Sequence, residues 1–405
     1  MLNGSAIPRP IRVLMVSHMP WDLRLGGPKP QMMIAEELRR LGHTVEKFDC
    51  HDAFPEHKAW SPLLLRIFGP FLPDFSQRVK AFIKTHGHRF DVIDVQHGSL
   101  PFSKQQLGFT GLVVARSVGL YAFHEEFKQL ALRKWPRKGL GRIPGLVLRY
   151  LRKPQERRST LRFVATLSHA DCIMVPNQDE WDYVNSVLNL GSKCVSIPYG
   201  LTTAQFSTFA SAAVNYQDRL ARKTVVFIGS WGPGKGSKDW PEIIRCLQKN
   251  VPEVRFLFLG TSSYSAASQE AIIKELNLPN PDCISIIPRF TDDEFPQLLS
   301  QASVGAFPSY IEGFPIAVLE QLASGLPVVA YDIPGPREML RYLKGDFLFQ
   351  PGNSQDFSQK LTELLNMDDS AYLRLSQQCI AIAKDFDWQK ITAETLETYI
   401  KFSIS

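Results

Sequence analysis

Short apolar runs alternate with amphipathic stretches along most of the chain. Residues 11–17 form an apolar run of strand length, followed by a loop, 18–30, that contains Gly26 and Gly27. In 31–41 the apolar positions Met33, Ile34, Leu38 and Leu41 recur at helical spacing with charges on the other face. Gly42 stops that helix and 44–48 is a second strand, so the chain opens with a βαβ unit. Further strand-length runs fall at 91–96, 112–115, 172–175 and 195–198. Residues 202–223 are rich in Ser, Ala and Thr without a clear period, and read as the end of the first domain plus the linker. A second set of strands follows at 225–229, 254–260, 283–287, 304–307 and 328–330, with helices between them, for example 240–249. Strands separated by helices predict mainly parallel, doubly wound sheets. The expectation is an α/β chain of two Rossmann-like domains, 1–205 and 222–386, with the last helix in 387–405 returning onto the first.

The chain length, 405 residues, suits two such domains, and 44% apolar with 21% charged residues is ordinary for a globular protein. The cysteines at 50, 172, 194, 246, 283 and 379 are scattered, with no C-x-x-C and no histidine cluster beside them. That argues against a zinc site or a disulfide framework and fits a reducing compartment. The apolar run at 11–16 is too short for a signal-peptide core, and no stretch approaches the ~20 apolar residues that span a bilayer. A cytoplasmic protein, soluble or peripheral on the inner face of a membrane, is expected.

Charge changes the picture in one place. The net charge is +6, but residues 128–162 carry twelve Lys and Arg against a single acid, Glu156, so the remainder is slightly acidic. Within this segment Ile143, Val147, Tyr150 and Leu151 fall at helical spacing, with Arg149, Arg152 and Lys153 on other faces. Such a basic amphipathic stretch suits an anionic membrane surface. A solvated loop or helix is the plainer alternative. No RNA- or DNA-binding motif accompanies the charge, so a nucleic-acid partner is not expected.

The chemistry concentrates at 307–330, FPSYIEGFPIAVLEQLASGLPVVA. A strand ends at Phe307, a loop carries Glu312 and Gly313, and a helix starts near Pro315, a residue favoured at the first helical position. Glu320 follows Glu312 by eight residues, which at ~100° per residue returns to nearly the same side. Both carboxylates would then face one ligand. A helix N-terminus offers unpaired N–H groups and a positive dipole end to a phosphate. Acceptor-only carboxylates suit sugar and ribose hydroxyls.

This E-x7-E pattern closely resembles the signature of family 4 retaining glycosyltransferases of the GT-B fold. The resemblance extends over nearly the whole chain: GGPKPQMMIAEELRRLGHTVEKFD looks like the family's glycine loop and first helix, DVIDVQHG, IMVPNQDEW and SIPYGLTTAQF like its later N-domain strands, and VVFIGSWGPGKGSKDWPEII like its diphosphate-binding segment. It implies two Rossmann-like domains facing each other across a cleft that holds the active site. It also implies transfer of a hexose-type sugar from an NDP-sugar to a glycan or lipid-linked acceptor, with retention, without a metal, and with no cofactor beyond the nucleotide-sugar substrate. An envelope or exopolysaccharide pathway would fit. Carried over residue by residue, Glu312 would accept hydrogen bonds from donor-sugar hydroxyls. N–H groups at Gly313, Phe314 and the neighbours of Pro315 would hold sugar and phosphate, and Glu320 would bind ribose. Lys235, in the segment with Gly229 and Ser230, would neutralise the leaving diphosphate, and Gly26 and Gly27 would bring the N-domain loop to the donor.

Two positions differ from the family pattern. Ser230 stands near where the family usually has an arginine on the diphosphate, which leaves Lys238 as a candidate helper. Val118 stands where a histidine is expected; His97 lies one strand earlier and His124 slightly later. These differences keep a nonenzymatic nucleotide- or glycan-binding protein as an alternative, beside a same-fold nucleotide-sugar epimerase or glycan phosphorylase. A dehydrogenase is poorly supported, because no G-x-G-x-x-G follows either opening strand.

Overall fold

The computed structural model describes residues 9–23, 25–55, 74–136, 157–212, 216–262 and 268–404. These fall into two compact units. One comprises the described residues up to Ala122, those of Pro136–Ile197 and those from Trp388 onward; the other comprises Phe123–Trp135 and Pro198–Asp387. The division differs from the expected 1–205 and 222–386 chiefly in giving Phe123–Trp135 to the second unit.

The first unit holds β1 (Arg12–Val16), β2 (Thr44–Phe48), β3 (Val92–Gln96), β4 (Leu112–Arg116), β5 (Cys172–Val175) and β6 (Cys194–Ser196) in one parallel sheet, order β2-β1-β3-β4-β5-β6. The second holds β7 (Thr224–Ile228), β8 (Arg255–Leu259), β9 (Ile284–Ile287), β10 (Val304–Phe307), β11 (Val328–Tyr331) and β12 (Leu348–Phe349), order β12-β11-β10-β7-β8-β9, also parallel. Every residue of β3, β4, β5, β7, β10 and β11 is buried. Helices cover both faces of a parallel sheet, which is why these strands read as unbroken apolar runs rather than as alternation. In each sheet the strand order reverses once, between β1 and β3 and between β10 and β7, and ligands of such sheets bind outside the strand C-termini at that point.

The two cores differ. In the first unit the Asp94 carboxylate on β3 is fully buried and accepts from Arg116 on β4 at 2.8 and 3.0 Å, and from the Tyr399 hydroxyl at 2.6 Å. Gln31 donates to the Asp94 carboxylate and carbonyl, at 3.1 Å each. Burial, then Asp94, push the Tyr399 phenol well above its ordinary value and keep it a donor. The network ties the helices Lys29–Arg40 and Trp388–Ile404 to the sheet. The second unit's core is aromatic, with Trp240 between Phe227 and Phe258 at ring separations of 5.6 and 4.7 Å.

The 202–223 stretch, expected to end the first domain and link it to the second, is largely helical. It forms the helices Thr203–Ser211 and Tyr216–Ala221. Thr202 opens the first with a capping box: its hydroxyl accepts from the Gln205 N–H while the Gln205 side chain accepts from the Thr202 N–H. The helix expected at 31–41 spans Lys29–Arg40, with Pro30 in its first turn, where a missing N–H costs nothing. The two-residue β12 was not foreseen.

Candidate functional site

In the second unit, two loops leave the switch point. After β7 the chain turns at Gly229, whose φ is +151°, and passes through Ser230, Trp231 and the 3-10 turn Pro233–Lys235 to Gly236, at φ +81°. After β10 it runs through Pro308, Ser309 and Tyr310 to Glu312. A Cβ at Gly236 would lie 2.2 Å from the Pro308 carbonyl oxygen, so the loops meet here backbone to backbone and only glycine fits. The Tyr310 N–H donates to the Gly234 carbonyl at 2.9 Å. The Lys235 ammonium then donates to the Glu312 carboxylate, with side-chain exposures of 32% and 13%. The Lys235 stem runs 3.9 Å from where a Cβ of Gly229 would be. The structure thus brings Gly229, Lys235 and Glu312 together, with Lys235 and Glu312 77 residues apart in the chain. An ammonium offers three donors and a carboxylate about four acceptor positions, so each partner keeps capacity for a ligand.

Gly313 and Phe314 lead to Pro315, which caps the helix Ile316–Ala323 rather than starting it. The first N–H groups of that helix have no partner within it. Phe314 is buried between the rings of Tyr199 and Phe386, 5.6 and 5.7 Å away, so only its backbone is available. Gly335 supports the loop from behind: a Cβ there would meet Pro315 at 2.5 Å and the Gly313 carbonyl at 3.0 Å. Glu320 is half-buried, the fifth residue of the helix. Glu312 precedes the helix, so the eight-residue spacing is not a helical phase. The shared facing expected from it does not follow, because loop residues do not advance by 100°.

Lys238 is paired with Glu275 at 2.9 Å. The same carboxylate accepts from Trp231 Nε1 at 3.0 Å and from the Ser237 hydroxyl at 3.3 Å. Lys238 therefore pins the loop to the helix Gln269–Leu276, which differs from the expected helper role. Behind the loops lies a group that sequence reasoning missed. Buried Asp239 accepts from the hydroxyls of Tyr310 and of Tyr331, the latter at 2.8 Å. Burial, followed by Asp239, raises both phenols. Lys134 completes the group, donating to the Tyr310 hydroxyl with its ammonium 3.8 Å from Asp239. Tyr310 and Asp239 stand inside the motif strings, but nothing in one sequence signals that residues 71 apart meet, or that Lys134 joins them.

Lys134 is one member of the basic 128–162 segment. Lys128 pairs with Glu125 and Arg162 with Asp74. The amphipathic core of that segment, 143–153, lies outside the described residues. His124, on the helix Tyr121–Lys134, is held below the ordinary histidine value by desolvation, then by Lys128, with Glu312 opposing and Lys235 adding. It therefore stands within the field of the Lys235–Glu312 pair.

In the first unit the loops after β1 and β3 bring glycine, histidine, serine and glutamine together, with Asp22 half-buried in the first of them. Gly26 and Gly27 lie between β1 and the helix Lys29–Arg40, and neither adopts a left-handed φ. Among the described residues, a Cβ at Gly26 meets nothing within 4 Å, whereas one at Gly27 would press on the Met19 side chain. The Gly27 carbonyl accepts from buried Gln96 at 3.0 Å. His97 accepts the Val118 N–H at 3.3 Å and sets its ring edge-on to Phe163. The structure therefore places His97 against the very residue standing where the resemblance leads one to expect a histidine. Two further groups escaped the sequence. His18 contacts the Ser99 hydroxyl at 3.4 Å and is held low by burial. Glu180, wholly buried, accepts from the Ser117 hydroxyl and, at 3.1 Å, from Asn177. Burial pushes its carboxyl up to about 7, against those hydrogen bonds and one from the Leu120 N–H.

Two parallel six-stranded sheets, each wrapped in helices, make this a GT-B fold of two Rossmann-like domains. Solved structures agree. Sucrose-phosphate synthase from Thermosynechococcus elongatus superposes with a TM-score of 0.72 over 98% of this chain and 100% of that one, at 18% identity. Anabaena HepE in complex with UDP and glucose gives 0.63 over 96% and 100%, at 17% identity. At such identities the likeness establishes the fold. Residues 215–385 match the family of glycosyl transferases group 1. Among sequence relatives, an uncharacterized glycosyltransferase of Haemophilus influenzae is 27% identical over 177 residues, 44% of this chain and 48% of that one. A D-inositol 3-phosphate glycosyltransferase of Mycobacteroides abscessus is 25% identical over 238 residues, 58% and 52% respectively. The chain spans about half the length of these curated relatives.

Proposed function

We propose that this chain is a retaining glycosyltransferase that moves a hexose-type sugar from a nucleoside diphosphate to a glycan or lipid-linked acceptor, in cell-envelope or exopolysaccharide assembly. The observation that carries this is the Lys235–Glu312 pair at the second sheet's switch point, ahead of a helix N-terminus and inside the region that matches group 1 glycosyl transferases. A neighbour captured with UDP and glucose supports a nucleotide-sugar donor. In this reading Lys235 holds the diphosphate, Glu312 takes donor-sugar hydroxyls and Glu320 takes ribose. The N–H groups from Gly313 to the start of the helix meet the phosphate-proximal sugar, and Gly229 and Ser230 let the diphosphate approach the backbone. Gly26, Gly27 and His97 are proposed substrate contacts of the first unit.

The bond from the anomeric carbon to the phosphate oxygen breaks and the bond to the acceptor oxygen forms on the same face. The acceptor proton passes to the departing phosphate. Lys235 stabilises charge where it develops, which is worth about 10²–10³-fold in rate for one such donor. Glu312, engaged by Lys235, serves binding rather than covalent catalysis.

The test is nucleoside diphosphate release from UDP-, GDP- and ADP-sugars, with and without a membrane lipid extract. Wild type should turn over one donor with acceptor stimulation, and Glu312→Gln and Lys235→Ala should each lose about 10²-fold or more. Their stability should hardly change, since a partly exposed pair contributes about 0–1 kcal/mol. Nucleotide binding without turnover across a broad acceptor set would instead favour a binding-only protein, with Ser230 and Val118 as the sites of loss. Residues 128–162 are proposed as a membrane-facing segment. Co-sedimentation with anionic vesicles should be salt-sensitive and should fall when the charges at 149, 152 and 153 are removed; binding indifferent to both would end that proposal.

A further inference from the structure

The donor loops of the second unit are braced by a piece of chain that lies, in sequence, among the strands of the first. Phe123–Trp135 belongs to the second unit. Phe127 comes within 3.4 Å of where a Cβ of Gly234 would stand, one residue before Lys235. Trp135 sets its ring edge-on to Tyr310 at 5.1 Å, two residues before Glu312. Lys134 donates to the Tyr310 hydroxyl and lies 3.8 Å from buried Asp239, while Tyr310 itself donates to Asp239 and, through its N–H, to the Gly234 carbonyl. Gly352, at φ +87°, makes the room: a Cβ there would lie 2.1 Å from the Lys134 nitrogen. One ammonium therefore sits at the junction of the Lys235 loop, the Glu312 loop and the helix, in a place the fold keeps open for it.

We infer that Lys134 is a positioning residue of the donor site, and that docking of the helix Tyr121–Lys134 and occupation of the site by a nucleoside diphosphate are coupled. The physical reason is that Tyr310 is shared. Its backbone joins the two loops, its hydroxyl joins Asp239 to Lys134, and its ring is held by Trp135. Displacing the ammonium frees the hydroxyl to turn, and the separation of Lys235 from Glu312 loosens with it. A ligand that fixes those two side chains must, by reciprocity, tighten the helix. This rests on the reading that Lys235 and Glu312 hold the diphosphate.

The experiment titrates UDP, GDP and ADP into wild type, Lys134→Met, Lys134→Arg and Lys235→Ala by calorimetry, and follows hydrogen exchange of the 121–135 peptides of wild type with and without the nucleotide that binds. We expect about a tenfold weaker Kd in Lys134→Met, in the usual range for linked sites, with recovery in Lys134→Arg. Nucleotide should slow exchange in 121–135, and in nucleoside diphosphate release the KM of Lys134→Met for the donor should rise more than kcat falls. Lys134→Met binding as tightly as wild type, or unchanged exchange in 121–135 on nucleotide binding, overturns the inference while leaving the function intact. The exchange experiment decides even if Lys134→Met does not fold. Failure of wild type to bind any of the three nucleotides removes the functional reading and the inference with it.

Discussion

The two sheets share a topology but place charge differently. In the first unit one charge pair sits in the middle of the sheet, Asp94 and Arg116 being 0% and 1% exposed, while Lys47 with Asp49 and Asp52 forms ion pairs at the end of β2. In the second the sheet interior is aromatic and aliphatic, and the charges stand at the rim as Lys235 and Glu312. A charge in the core meets its partner before any ligand arrives and serves the fold. A charge at a strand end keeps spare hydrogen-bonding capacity and can serve a ligand. The same fold therefore carries a charge pair inside its first sheet and the Lys235–Glu312 pair at the rim of its second.

The largest expected effect tests the buried side of that contrast. Arg116→Met leaves the Asp94 carboxylate in the core with neutral donors only, and should cost about 3–5 kcal/mol in urea unfolding. A loss comparable with that of the rim variant Lys235→Ala would mean that the two charge pairs do not differ in kind. Next come the glycines of the two loops. Gly236→Ala forces a left-handed φ and a Cβ into the Pro308 carbonyl, and should cost about 2 kcal/mol together with much of the activity. Gly26→Ala meets no described residue at an unstrained φ and should change stability by less than about 0.5 kcal/mol. Equal losses in thermal unfolding would erase the distinction between a loop built on backbone contact and one that is not.

A pH series sharpens the comparison further. Glu180 titrates near 7 in the folded chain against an ordinary 4.5, so between those values the native state binds more protons than the unfolded one. Stability then falls as pH rises through that window, and above it the full cost, on the order of 3 kcal/mol, applies. Glu180→Gln removes the titration. Its Tm relative to wild type should be more favourable at pH 8 than at pH 5; an offset that stays constant with pH would show that the buried carboxyl titrates normally.

Local strings were enough to expose the opening βαβ unit, the twelve cations against one acid of the basic segment, and the loop–helix motif around Glu312, because each is a matter of neighbours in the chain. The same locality explains what failed. The helix Thr203–Ser211 hides in a Ser-, Ala- and Thr-rich stretch, opened by a capping box and buried through Phe209 rather than announced by an apolar period. Glu312 and Glu320 share a spacing that suggests one helical face, yet the helix begins only at Ile316.

The sequence by itself determined the α/β class and the strands that had to be buried on both sides, since hydrophobic period and turn residues act over a few positions; its resemblance to a family singled out Lys235 and Glu312 one by one, and the structure paired them. Only the tertiary structure decided that Lys238 turns to Glu275, that His97 meets Val118, and that Lys134 crosses to Tyr310 and Asp239. Each of these depends on where sheet order and helix packing bring distant residues, and a buried charge takes whichever partner the packing leaves within reach.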